Sequence, residues 1–134
     1  VGYLLAGPDV VAELSRIKQP YNLNAFSQFV AGAVLKYRDL LQVQVEKIKA
    51  ERDRLFDKMA VMEGVEVYPT DANFILFRTN VEADRVFQEM LRNGVLIRNV
   101  SSPGLEKCMR VTVGTEEENH QFLEKLKIVL NVLS

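Results

Sequence analysis

Residues 93–115, NGVLIRNVSSPGLEKCMRVTVGT, hold two short apolar runs around one turn, and their reading decides the fold. Val95, Leu96 and Ile97 predict a strand that runs out to Arg98. Ser101, Ser102, Pro103 and Gly104 supply turn chemistry, because Pro presets φ and Gly accepts the left-handed region. Met109, Val111 and Val113 then alternate with Cys108, Arg110 and Thr112, which predicts a return strand with one face buried. Antiparallel pairing of the two strands brings Arg98 and Arg110 to the same end of a sheet. Two guanidiniums about 6 Å apart repel by roughly 0.7 to 3 kcal/mol, for effective dielectrics of about 80 down to about 20. A bound anion reverses that cost, and the arginine fork suits carboxylate or phosphate because it offers two parallel N–H donors. Taken singly, each arginine reads as a solvated strand-end residue. Taken together, they are a candidate anion site.

On both sides of this stretch the apolar pattern predicts helices and further strands. Asn73 to Arg78 is apolar on both faces, as a central strand is, and Val65 to Tyr68 reads as an edge strand ended by Pro69. Asn80 is the expected cap of a helix that buries Ala83, Val86, Phe87 and Met90. Thr115 to Glu118 has the form of a capping box ahead of a helix burying Phe122, Leu123, Leu126, Val129 and Leu130. Further upstream, Leu41, Val45, Ile48, Leu55, Met59 and Met62 recur at helical spacing, interrupted by Arg52 and closed by Gly64. Gly7-Pro8-Asp9 and Asn24 are the expected starts of two earlier helices, and Val1 to Ala6 reads as a strand. The expected architecture is α/β: about four short strands packed on helices, preceded by two helices of a different character. The expected core includes Phe74, Leu76, Val86, Phe87, Val111, Leu123 and Leu126.

Composition narrows the function classes. The chain has 134 residues, 48% hydrophobic and 26% charged, with a net charge of −1. That length suffices for one cored domain. The charge balance points to neither nucleic acid nor a membrane surface. No apolar run is long enough to span a bilayer, and the first residues lack the pattern of a signal peptide. A single cysteine, Cys108, leaves no internal disulfide and fits a reducing cytoplasm. With one His and one Cys there is no zinc-type spacing, and neither phosphate-loop nor dinucleotide glycine motifs occur. His120 reads as a surface residue, Cys108 as a small buried thiol, and Arg52 as a stem packed on the core with its head ion-paired. Asn73, at the head of the central strand, is a weaker site candidate. Tyr21 and Asn22 gather polar groups in one loop and are carried as substrate-binding candidates beside Arg98 and Arg110, with turn and cap duty as the competing explanation.

The order of motifs goes further than these residues alone. VGYLLAGPDVVAEL, PYNLNAFSQ, ERDRL, DANFILFR, GVLIRNVSS and MRVTVGTEEEN follow one another in a way that resembles the histidinol-phosphate aminotransferases. These are pyridoxal-phosphate enzymes of the aspartate-aminotransferase fold type. The resemblance runs from Val1 to the carboxyl terminus and extends to aromatic-amino-acid aminotransferases and threonine-phosphate decarboxylase. It implies that residues 39–134 form the carboxyl-terminal small domain and that residues 1–38 are a remnant of the large, cofactor-binding domain and linker. It also implies that the lysine and arginine that hold the cofactor precede Val1, so this chain alone is expected to be inactive and not to bind pyridoxal phosphate covalently. By the same resemblance Arg110 holds the carboxylate or phosphate of a small-molecule substrate, Arg98 assists, and the parent enzyme is a cytoplasmic homodimer. Two rivals from other classes are a free-standing anion-binding domain and a helical dimerisation piece that uses the seam from Leu41 to Met62.

Overall fold

In a computed structural model, which describes residues 1–133, the chain divides into two units, Val1–Val43 and Gln44–Ser134. Among the described residues, five helices and four strands follow in the order α1 (Pro8–Ile17), α2 (Ala25–Leu35), α3 (Arg38–Ala60), β1 (Val65–Val67), β2 (Phe74–Thr79), α4 (Ala83–Arg92), β3 (Arg98–Asn99), β4 (Cys108–Thr112) and α5 (Glu116–Leu133).

In the first unit, helix α1 starts at Pro8, where a missing N–H costs nothing, with Asp9 in its first turn. Helix α2 is capped by Asn24, whose side-chain oxygen accepts from Ser27 N–H at 2.8 Å. No residue of either helix is buried, and Phe26 and Phe29 are 77% and 76% exposed. Val1 to Ala6, expected as a strand, form none. A strand exists only through a ladder partner, and no described segment supplies one.

The second unit is built on a four-stranded antiparallel sheet in the order β1-β2-β4-β3. Central placement of β2 and β4 follows from their composition, and β1 lies at an edge as expected. Alternation along β2 sends Ile75, Phe77 and Thr79 to one face, where all three are buried. Met109 and Val111 of β4 join them. Leu55 and Met59 of α3, Val86 and Met90 of α4, and Phe122, Leu126 and Val129 of α5 cover this face in one cluster. Phe77 is wholly buried and meets Phe122 edge-on, with ring centroids 6.0 Å apart. Phe74 and Leu76, expected in this core, lie on the opposite face and are only half-buried. The period of two allows one residue of each adjacent pair to face the helices, and here it is Ile75 and Phe77.

Three boundaries also differ from expectation. Strand pairing after α4 is confined to Arg98 and Asn99, so Val95 to Ile97 approach the sheet without joining its ladder. Helix α4 begins at Ala83 with Glu82 at its cap, not Asn80, and no side chain caps it. Helix α3 ends at Ala60, and Gly64 instead takes φ +74° in the turn before β1. The capping box is present as expected: Thr115 N–H donates to Glu118 Oε2 at 2.7 Å, and Glu118 N–H donates to Thr115 Oγ1 at 3.3 Å.

One polar network ties α3 to the start of α5. Asn119 is 3% exposed; its Nδ2 donates to Glu51 Oε2 at 2.9 Å and to Gly114 O at 3.1 Å, and its Oδ1 accepts from Gly114 N–H at 2.9 Å. Arg54 Nη2 donates to the same Glu51 oxygen at 2.7 Å. The Arg54 hydrogen bond, then that of Asn119, holds the Glu51 carboxyl below its ordinary value of 4.5. The folded state therefore binds fewer protons here than the unfolded chain, so this stability is full above the ordinary carboxylate range. It is lost as pH falls through the depressed folded value. Acid unfolding followed by circular dichroism should show a shallower loss between pH 4.5 and lower pH in Glu51→Gln than in the wild type. Identical slopes would mean that the network does not couple to folding.

Candidate functional site

The face of the sheet turned away from the helices carries three arginines, Arg78, Arg98 and Arg110. Arg98 of β3 and Arg110 of β4 are direct cross-strand partners, with Leu76 of β2 on the other side of Arg110. Partners in an antiparallel ladder share a face, so the two guanidinium-bearing side chains leave the sheet together. Arg98 is exposed and Arg110 half-buried. Like charges placed opposite each other destabilise a ladder.

Arg78 is the third arginine on this face, and it shows what a structural arginine looks like here. Its cross-strand partner is Glu66 of β1. Arg78 Nε donates to Glu66 Oε2 at 2.9 Å, and its Nη2 contacts the same oxygen. That hydrogen bond raises the Arg78 pKa. Arg78 also lies opposite Cys108, which is buried beside Tyr68, and burial pushes the Tyr68 phenol up. Among the described residues, Arg98 and Arg110 have no carboxylate within ion-pair distance, in contrast to Arg78. Instead the Arg110 guanidinium lies over the Phe74 ring, 4.6 Å from its centroid. A ring contact of this kind, unlike an ion pair with a carboxylate, does not require the guanidinium's in-plane N–H donors.

The remaining candidates fall elsewhere. Tyr21 and Asn22 belong to the first unit, in the loop between α1 and α2. Tyr21 is 99% exposed and takes φ 58°, a left-handed conformation uncommon for a residue with a side chain. Asn73 is exposed, and its carbonyl accepts from Val113 N–H at 2.9 Å, a ladder role. His120 is exposed on α5, and Arg52 pairs with Asp53 at 2.8 Å with its side chain 15% exposed. Phe74 is the site residue that sequence reasoning missed. Its signal was present in the register, because residues two apart on paired strands are diagonal neighbours on one face.

Pyridoxal phosphate needs an amine to hold its aldehyde and a carboxylate to face its ring nitrogen. The residues of this face do not fit it. Its one acid on the strands, Glu66, is engaged by Arg78, and no lysine lies on any of the four strands. Lys107, just before β4, is paired to Glu82 at 3.0 Å and donates to Asn80 O. What the arrangement can do is grip an anion.

The second unit is thus a four-stranded antiparallel sheet backed by three helices, with two arginines, free of carboxylates among the described residues, as cross-strand partners on the face turned away from those helices. The chain belongs to the aminotransferase class I and II family, which it matches over residues 1–126. It is 43% identical to the histidinol-phosphate aminotransferase of Aquifex aeolicus over 136 aligned positions, which cover all of this chain and 38% of that protein. The crystal structure of the histidinol-phosphate aminotransferase from Clostridium acetobutylicum superimposes with a TM-score of 0.78 at 27% identity, covering 93% of this chain and 39% of that one. The L-threonine-O-3-phosphate decarboxylase of Porphyromonas gingivalis shares the fold, with a TM-score of 0.80 at 24% identity over 95% of this chain and 40% of that one. The chain thus spans well under half the length of the relatives it matches.

Proposed function

We propose that this chain is the small, substrate-gripping domain of an aminotransferase that moves an amino group between L-histidinol phosphate and 2-oxoglutarate, in histidine biosynthesis. The observation that carries this reading is the facing pair Arg98 and Arg110, which no described carboxylate neutralises. A phosphate monoester carries about −1.5 to −2 charge near neutral pH and so matches two guanidiniums. A carboxylate of glutamate matches one bidentate fork. One site can therefore hold the anionic end of each substrate in turn, with Arg110 as the principal grip and Arg98 as its support. Tyr21 and Asn22 are proposed as further substrate contacts. Pyridoxal phosphate, which supplies the amino-transfer chemistry in this family, is held by parts of the protein other than this sheet. The same reading makes the whole protein a cytoplasmic homodimer, in keeping with the resemblance and the single thiol of this chain.

The test is a substrate comparison with the whole cofactor-loaded protein. Histidinol phosphate, phenylalanine and O-phosphothreonine are each offered with 2-oxoglutarate, and both transamination and carbon dioxide release are followed. The expected result is transamination with histidinol phosphate as the preferred donor. A preference for phenylalanine moves the assignment to an aromatic aminotransferase. Carbon dioxide from phosphothreonine moves it to a decarboxylase, and no turnover of any donor leaves an anion-binding domain.

A further inference from the structure

We infer that Phe74 is a positioning residue for the anion grip, a platform that sets the plane of the Arg110 guanidinium; this rests on the reading proposed above. Three observations lead to it. The Arg110 head lies 4.6 Å from the Phe74 ring centroid, inside the range where a ring face attracts a cation. The register puts Phe74 opposite Thr112 and Leu76 opposite Arg110, so the arginine leans diagonally across the ladder to reach the ring. The ring itself stands on a fixed backbone. Thr70 Oγ1 donates to Phe74 O at 2.9 Å and accepts from Ala72 N–H at 3.1 Å, while Val113 N–H closes the ladder onto Asn73 O at 2.9 Å.

The choice of an aromatic partner has a chemical consequence. A carboxylate holding Arg110 would occupy the in-plane N–H donors that a substrate anion needs, as Glu66 occupies those of Arg78. A ring beneath the guanidinium face holds the same cation and uses none of them. It also lowers the freedom of a long side chain before the substrate arrives, so less is lost on binding. Arg98, directly opposite, supplies the repulsion that keeps Arg110 on the Phe74 side of the ladder.

The experiment is a double-mutant cycle on the whole cofactor-loaded protein, with glutarate as an unreactive dicarboxylate probe of equilibrium binding. Phe74→Leu keeps apolar bulk and loses the ring face, and it should weaken glutarate about 2- to 30-fold. Phe74→Tyr keeps the face and should bind as the wild type does. In an Arg110→Ala background, Phe74→Leu should change nothing further, because the group it positions is gone. The platform role is overturned if Phe74→Leu leaves glutarate binding unchanged, or if it weakens binding equally with and without Arg110. Should Phe74→Leu fail to fold, Phe74→Ile, which suits a strand, takes its place in the cycle. Failure of the grip itself looks different: Arg110→Ala alone would then leave glutarate binding at the wild-type level.

Discussion

Arg110→Lys is expected to lower kcat/KM for glutamate and for histidinol phosphate together, by about 10- to 150-fold. The charge is kept, but a point ammonium replaces a planar fork, and one charge-assisted hydrogen bond of roughly 1.5 to 3 kcal/mol is lost from the bound anion. Arg110→Ala should be worse for both substrates, since it leaves the anion facing only Arg98. Arg98→Ala should cost less, and more for the phosphate than for the carboxylate, because only the dianion uses the second charge in full. Stability should hold in all three variants: each alanine change removes one member of a facing like-charged pair and relieves repulsion, while lysine leaves the charge as it was. Steady-state kinetics with both donors, alongside a thermal melt, checks this. Normal kinetics for both substrates in Arg110→Ala, or simple unfolding, would make the residue structural and the assignment wrong.

Phe77→Ala is expected to destabilise the second unit by about 3 to 5 kcal/mol. Phe77 has no exposed surface, occupies the middle of the central strand β2, and packs edge-on against Phe122 of α5. Its removal deletes the edge-on ring contact with Phe122 of the terminal helix and leaves a cavity that Met109 and Val67, its neighbours in the ladder, fill only in part. Against a typical total of about 5 to 15 kcal/mol, that loss is large. It should appear as a lower urea midpoint with an unchanged slope, and as faster amide exchange in β2 and β4. Phe74→Leu provides the contrast, because the neighbouring aromatic lies on the uncovered face and its change should move the midpoint little. A large shift from Phe74→Leu and a small one from Phe77→Ala would reverse the faces.

Helix and strand positions were legible where a local signal is strong. Asn24 and the Thr115–Glu118 box mark helix starts through hydrogen bonds made within four residues, and Pro8 does so through its fixed φ; all three behave as their chemistry predicts. The alternation in residues 108 to 113 likewise foretold β4, its buried face and the approach of Arg98 to Arg110. Signals that depend on distant partners were weaker. Val1 to Ala6 have the composition of a strand, but composition does not make a ladder. Asn80 is a good cap residue, yet the chain bends at Asn80 and Val81 and α4 begins only after Glu82, and Asn80 O instead receives Lys107 Nζ from just before the neighbouring strand β4.

The sequence by itself determined the family, the four-strand plan backed by three helices, and the two arginines brought face to face. Each of those follows from periodicity, local capping or motif order, which are properties of neighbouring residues. Tertiary structure alone decided which aromatic of β2 enters the core and which lies under Arg110. Phe74 and Phe77 are equally apolar, and only the pairing register tells which side of the pleat meets the helices. It also decided that Arg78 is spent on Glu66 while Arg98 and Arg110 stay free of carboxylates among the described residues. The physical reason is the same in both cases. A charge or a ring acquires its role from what lies across the ladder, and that neighbour is set by strands far apart in the chain.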